Sequence, residues 1–394
     1  MVYLSIFILL VVLSFRYDIN GKTAGRDSWY NFLLFIFILV VGLRWRIGID
    51  TVGYLTHFYH DYPPLEYFRF EDYPIGKDPL FVLLNSMVIT FGGRFYVVQL
   101  VQASIVNVLI FSYIKKHSKY VFTSLIFYAI ISFASYNFEI MRGSISIAIC
   151  LYGNDYFLEK KWFKGYLLYF IALLFHAQTI VLFVVPIFLS LRLNKKGILI
   201  LLFAFLLGQM LNSIMVSFLI QYFDNGIIAD KAIAYAESDF GFGEGLKLNQ
   251  YMGVALRFAY CSCALLFLKR KQKDNPILIM EPFMVVWLLF LMVQCGFRLT
   301  YRYVEYFNVY IFFLFAELFV NMIGNKLSKG IAYLRSVIVF MPFFLASSYG
   351  LTKSEIYYKY YPYSSVISRT INKERESIYQ HDIYNREPAN KEEY

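Results

Sequence analysis

Twelve apolar runs follow one another along the chain, at 2–15, 30–43, 79–92, 96–114, 120–135, 142–158, 165–191, 197–221, 252–268, 277–296, 303–323 and 331–349. They do not alternate as strands do, and most approach the roughly 20 residues that a helix needs to cross a hydrocarbon core. The pattern predicts an all-α, polytopic helical membrane protein with ten to thirteen membrane segments. Run 165–191 carries His176 and Pro186, so it predicts a broken helix or a pair of short ones. The first run has no basic stretch before it and no small-residue cleavage site after it, which predicts a retained span.

The polar stretches between the runs set the expected topology. Basic clusters at Arg16, Lys22 and Arg26, at Lys115, Lys116 and Lys119, at Lys160, Lys161 and Lys164, and at Lys269, Arg270, Lys271 and Lys273 mark the cytoplasmic side. Segment 44–78 has four Lys/Arg against six Asp/Glu, and 222–250 has two against five, so both read as external loops. An external 44–78 and an internal Lys115 allow one crossing between them, yet two runs are present. Run 79–92, short and ending in Gly92-Gly93, is therefore expected to be a re-entrant or half-buried helix that returns to its starting side, a full crossing with Lys115 outside being the alternative. Residues 1–349 form a single membrane domain in this reading. A polar tail at 350–394, partly disordered, follows it.

Composition narrows the function classes. The chain is 59% hydrophobic and 16% charged, against about 25% charged in soluble proteins, which excludes an ordinary soluble enzyme. The net charge of +10 resides in the topological clusters, so no nucleic-acid partner is expected. Cys150, Cys261, Cys263 and Cys295 sit within or at the end of apolar runs and read as packing residues. No Walker A, HExxH, GxSxG or GxGxxG motif is present, which argues against ATP-driven transport and metalloprotease chemistry.

In a membrane protein, ionisable groups in or beside apolar runs carry the functional information, because placing them there is costly. Arg142 opens the run to Leu158, next to the small residues Gly143, Ser144 and Ser146. An ion pair to Glu139 three residues back is the structural alternative, but a cation at a helix N-terminus opposes the helix dipole. His176 lies inside an apolar run, where a packing histidine and a general base are both consistent readings. Arg298 and Arg302, four apart, would share a helix face suited to a diphosphate, or would serve as interfacial anchors with Arg302 paired to Glu305. Arg44, Arg46, Asp50 and Tyr54 directly follow a membrane run. They read as an interfacial cap or as a place where a lipid-linked substrate meets the protein.

Taken together these residues resemble the EpsG-like proteins of exopolysaccharide clusters and, more distantly, the Wzy-type polysaccharide polymerases. The matching stretches are Arg44 or Arg46 through Tyr54, Asn137 to Lys161, Lys164 to Pro186, Arg302 to Phe307, and Tyr360-Tyr361-Pro362-Tyr363. The chain departs from the expected pattern at Gly143, in place of Gln, and at Gln178, in place of Ser. The resemblance implies a multi-pass protein of the bacterial cytoplasmic membrane. Its implied work is to polymerise undecaprenyl-diphosphate-linked repeat units at the outer face, with no cofactor or metal. Arg142, His176 and Asp50 are then the expected catalytic residues, and Arg302, Arg298, Arg44, Arg46 and Tyr54 the expected substrate contacts. The implied partners are lipid-linked oligosaccharide, membrane lipid, and the chain-length regulator and flippase of the same pathway. A lipid-linked oligosaccharide flippase and a glycan ligase or acyltransferase are the alternatives.

Overall fold

The computed structural model of the chain describes residues 2–48, 50–222, 248–324, 329–348 and 354–379. Its helices are α1 (Val2–Leu13), α2 (Arg26–Gly42), α3 (Thr51–His60), α4 (Pro79–Thr90), α5 (Phe95–His117), α6 (Val121–Ile131), α7 (Met141–Leu158) and α8 (Trp162–Phe175), then α9 (Lys195–Tyr222), α10 (Leu248–Lys271), α11 (Glu281–Gln294), α12 (Tyr301–Glu305), α13 (Asn308–Ile323), α14 (Lys329–Ser348), α15 (Ser354–Tyr360) and α16 (Lys373–Tyr379). Among the described residues there is no strand, only an isolated antiparallel bridge between Arg44 and Ser365. The predicted all-α architecture is therefore the observed one.

Four segments of the described residues are long and apolar enough to cross a membrane: Val2–Ile19, Phe95–His117, Gln250–Lys271 and Pro276–Gln294. Arg298–Glu305 with Asn308–Ile323, bent by 65°, makes a fifth if the pair is one span. Other runs counted among the ten to thirteen expected segments form helices shorter than a full span, such as Pro79–Thr90 and Val121–Ile131. The predicted break at His176 is present. Trp162–Phe175 is α-helical, His176 is extended (φ −154°, ψ 112°), and a 3-10 helix over Ala177–Ser190 follows, with Pro186 inside it.

The chain packs as two compact units, Met1–Val184 with Ser348–Tyr394, and Val185–Ser347. The division falls inside the stretch that the sequence reads as a single domain, 1–349. The expected tail, 350–394, folds into the first unit over its described residues: α16 carries buried Arg375 and Tyr379, while Tyr357, Ile367 and Ile371 are exposed. Residues 380–394 of that tail, and most of the expected loop 222–250, lie outside the described residues.

In the first unit, α2 and α5 run antiparallel. At one end the Arg26 guanidinium donates to the Lys119 carbonyl (2.8 Å) and Lys115 pairs with Asp27 (2.9 Å). At the other end Gly42 lies so close to Leu100 that a side chain at 42 would overlap it. Helix α7 runs parallel to α5, since Ser144 near its start accepts from Gln102 (2.9 Å) and Asp155 near its end accepts from Lys116 (2.7 Å) and His117 (2.8 Å). Helix α8 returns along α7. Their close approach requires glycine at 153, against the Tyr169 ring, and at 165, against the Phe157 ring. Polar pairs hold α5 to the segment that leads into α7: the Asn107 amide donates to Asn137 (2.8 Å), which donates to the Tyr128 hydroxyl (2.7 Å). In a bilayer such bonds contribute about 0.6 kcal/mol each.

Helix α4 is the short helix of run 79–92. It is 12 residues long, about 18 Å, and its Thr90 hydroxyl accepts from the Leu65 amide (2.7 Å), back in the 44–78 segment. The chain then enters α5 at the end occupied by residue 44 rather than at the Lys115 end. The first unit thus has a basic end around Arg26, Lys115 and Lys119, and an opposite end where α2 stops, α4, α5 and α7 start and α8 stops.

In the second unit, Asn275 caps the turn before α11 by accepting from Ile277 N (3.1 Å), and Pro282 sits where a helix needs no donor. The buried Glu281 carboxylate accepts from Lys269 (2.7 Å) and from Leu193 N (2.8 Å).

Candidate functional site

The end of the first unit opposite its basic cluster gathers the side chains expected to do chemistry. Asp78 is its centre. It immediately precedes Pro79, the first residue of α4, and adopts a left-handed conformation (φ 53°, ψ 61°) that is strained for an aspartate. Its carboxylate is 3% exposed at the residue level and reaches three groups. Oδ2 accepts from Arg142 Nη1 at 2.6 Å, Oδ1 accepts from the Ala177 amide at 2.7 Å, and Oδ2 lies 3.8 Å from His176 Nδ1. One carboxylate thereby holds the start of α7 and the break after α8 to the start of α4.

Arg142 keeps a guanidinium surface open while one edge is tied down; its side chain is 38% exposed and lies over the Tyr54 ring at 5.6 Å. Tyr54 packs edge-on to Phe81 of α4 (5.7 Å), and burial pushes its phenol above the usual range, so it stays neutral. Tyr62, in the loop after α3, is likewise pushed up to about 12 by burial, with Arg142 opposing. His176 approaches the helix start at Gly143: a Cβ at that position would lie 3.4 Å from His176 Cδ2. Its Nε2 faces Gln178 Oε1 at 3.3 Å, and its Nδ1 makes no hydrogen bond among the described residues. Both departures from the family pattern, Gly143 and Gln178, therefore adjoin the His176 ring.

The ion pair that Arg142 makes is with Asp78, 64 residues away, and the local partner suggested by spacing, Glu139, is occupied differently. Glu139 Oε2 accepts from the Asp50 amide (3.1 Å), and its carboxylate faces Tyr360, whose phenol is pushed up first by burial and then by that charge. Asp50 is exposed at the start of α3.

Arg44 and Arg46 sit in the loop after α2, under the C-terminal helices. Arg44 is fully buried, donates from Nη1 to the Val41 carbonyl (2.8 Å), and lies 5.6 Å from the Phe138 ring centre. Arg46 pairs with Glu376 (2.8 Å) and lies beside the Trp45 and Tyr379 rings. The Tyr379 hydroxyl donates to the Gly48 carbonyl at 2.7 Å. Backbone bonds complete the clasp: Trp45 N to Ser364 O (2.9 Å), Gly48 N to Lys359 O (3.1 Å) and Val366 N to Leu43 O (2.8 Å). Buried Arg375 fastens the clasp from within, donating to the carbonyls of Tyr358 (2.8 Å) and Pro362 (2.5 Å).

Arg298 and Arg302 belong to the second unit. Arg298 is in a 3-10 turn (Arg298–Thr300) and Arg302 in α12, whose Nε lies 3.3 Å from the Tyr301 hydroxyl. Glu305, the expected partner of Arg302, accepts from the Asn308 side chain at 3.0 Å.

Of the expected residues, the structure brings Arg142, His176 and Tyr54 into one cluster, with Asp50 joined to the adjacent Glu139. It adds Asp78, which sequence reasoning counted only as one acid of an acidic loop. The available signal was its place: an Asp directly before a proline that opens an apolar run.

A model of the EpsG family matches residues 28–365. No curated protein and no solved structure matches the chain.

Proposed function

Because this chain belongs to the EpsG family, which points to exopolysaccharide polymerisation, we propose that it joins undecaprenyl-diphosphate-linked sugar repeat units at the outer face of the bacterial cytoplasmic membrane. The observation that carries this reading is the shared grip of Asp78 on Arg142 and on the His176 turn, at the end of the first unit remote from Arg26, Lys115 and Lys119. Positive clusters favour the cytoplasm, which supports an outer location for the Arg142 end.

The chemistry follows from the groups. A sugar hydroxyl of the acceptor attacks the anomeric carbon of the donor, a new carbon–oxygen bond forms, and the bond from that carbon to the diphosphate oxygen breaks. The departing lipid diphosphate keeps the electron pair. Its growing charge meets the open face of Arg142, whose other edge is fixed by Asp78, so little reorganisation is needed as the bond breaks. The hydroxyl proton passes to His176. Asp78, 3.8 Å from Nδ1, stabilises the imidazolium that results. Tyr54 keeps the guanidinium plane in place from beneath.

Full-length protein reconstituted in vesicles with one defined lipid-linked repeat unit tests this reading. The wild type is expected to make a polymer ladder, and Arg142→Ala and His176→Ala are expected to leave single units despite normal insertion. Long polymer from both variants would refute it.

A further inference from the structure

The loop from Asp61 to Lys77 closes on itself through successive turns. Tyr67 N donates to Pro64 O (3.0 Å), Tyr73 N to Phe70 O (3.2 Å) and Lys77 N to Pro74 O (2.7 Å), and the Leu65 amide pins the loop to Thr90 at the end of α4. Phe68 is its keel. This ring is 8% exposed, lies parallel to Tyr73 with centroids 5.4 Å apart, and meets Phe70 edge-on at 5.0 Å. The outward rings stay uncovered, with Tyr67 67% exposed and Phe70 57%. Bare apolar rings with a polar rim, set on a loop that is itself folded, mark a binding surface.

Charge decides what that surface takes. The carboxylates of Asp61, Glu66, Glu71 and Asp72 are all exposed, and the loop sets only Arg69 and Lys77 against them. Both cations turn to the loop's own carbonyls, Arg69 to Glu66 (3.1 Å) and Phe68 (2.9 Å), Lys77 to Asp72 (3.3 Å). His57 Nδ1 occupies one Asp61 oxygen (2.5 Å). An acidic rim of this kind repels a phosphate headgroup. Carboxylates accept hydrogen bonds and donate none, so they suit a partner rich in hydroxyl donors. Aromatic faces, negative at their centres, suit its C–H faces. A sugar chain offers both.

The surface also leads to the Asp78 centre, since Asp78 directly follows the turn Ile75–Lys77. Burial, and then the charges of Asp72 and Asp61, push the Tyr73 phenol above its usual range. At Tyr62 burial again acts first, followed by Arg142, Tyr54, Asp78 and Asp61. Tyr62 thus adjoins the Arg142 cluster on one side and the acidic rim on the other.

We propose that the 61–77 loop is a track for the growing sugar chain, in which Tyr67 and Phe70 stack on sugar rings while Asp61 and Asp72 accept from their hydroxyls. The proposal rests on the function proposed above and adds the place where the polymer, rather than its lipid, is held. A chain kept there stays at high effective concentration beside Arg142 between additions. The track therefore sets polymer length.

The test compares wild type with Tyr67→Ser/Phe70→Ser, two exposed positions whose replacement should leave the melting transition unchanged. Biolayer interferometry of the full chain in detergent, on immobilised cell-surface polysaccharide of the source strain, reads binding. Sizing of the vesicle-assay product reads chain length. The Ser variant is expected to bind about tenfold more weakly or worse, and Tyr67→Trp/Phe70→Trp to retain binding. The Ser variant is also expected to form the first linkage at the wild-type rate but to lose the longest chains. No binding by the wild type, or equal binding by wild type and Ser variant, overturns the proposal. So does full-length polymer from the Ser variant. Poorer membrane insertion of the Ser variant with unchanged binding would make the rings an interfacial anchor, and equally overturns it. The two readings separate cleanly. If the wild type binds polysaccharide, the Ser variant does not, and neither makes polymer, the track stands and the polymerase reading falls; if both bind alike and the wild type makes polymer, the reverse holds.

Discussion

Asp78 Oδ2 and Arg142 Nη1 are 2.6 Å apart, yet they come from different helices and 64 residues separate them in sequence. Removing one member of such a pair leaves a poorly solvated charge. In the proposed reaction there is a functional cost too, because the same carboxylate also holds the Ala177 amide and faces His176. Arg142 is thus fixed by a group that cannot be replaced locally. Its exposed guanidinium face is what a substrate meets in the proposed reaction.

Gly143 sets the spacing between that arginine and the histidine. A methyl group there would touch His176 Cδ2 at 3.4 Å, an ordinary contact. Gly143→Ala is therefore expected to keep polymer yield within about twofold, while Gly143→Leu, which intrudes on the ring, lowers it about a hundredfold with unchanged insertion. Polymer sizing on gels together with the amount of membrane-inserted protein distinguishes the two.

The C-terminal clasp should report on residues 44–48 without touching the Asp78 centre. Tyr379→Phe removes the hydroxyl that donates to Gly48 O and contacts Arg46 O, at a cost of about 1 kcal/mol. Amide hydrogen exchange at Trp45 and Gly48 is expected to rise roughly fivefold, with that at α7 unchanged.

Gly165 lies against the Phe157 ring with no room for a side chain. Gly165→Val is expected to push α8 from α7 and to destabilise the first unit by about 1–3 kcal/mol as overpacking. A lower thermal transition in detergent would show this. Leucine at Gly76, where a side chain meets open space, is the control that should leave the transition in place.

Much of the fold was legible because the helices advertise themselves as apolar runs; the runs at 142–158 and 252–268 nearly coincide with α7 and α10. His176 was legible as a break because a histidine and Pro186 interrupt one long run. Arg142 was visible because it violates the helix dipole rule. Asp78 was not, since nothing in an acidic loop says which carboxylate will turn inward to a residue 64 positions on. The hollow bordered by Arg44, Arg46, Arg94 and Arg369 was only half visible. Arg44 and Arg46 are neighbours in sequence, but Arg369 reaches them because the C-terminal stretch folds back, with Tyr363 bonded to Val40 across 323 residues. The 350–394 segment looked like a loose tail because its sequence from Ser364 onward is rich in polar residues, and its anchors, Arg375 and Tyr379, carry polar groups themselves.

The account turns on Asp78 and Arg142 acting as one unit, and a double-mutant cycle on polymerisation rate measures that directly. Asp78→Asn and Arg142→Gln are each expected to slow the reaction of a defined lipid-linked repeat unit by about a hundredfold or more. The double variant should be no slower than Arg142→Gln alone, because groups that work as a unit are lost together. Penalties that multiply in the double variant, or rapid polymerisation by either single one, would contradict it.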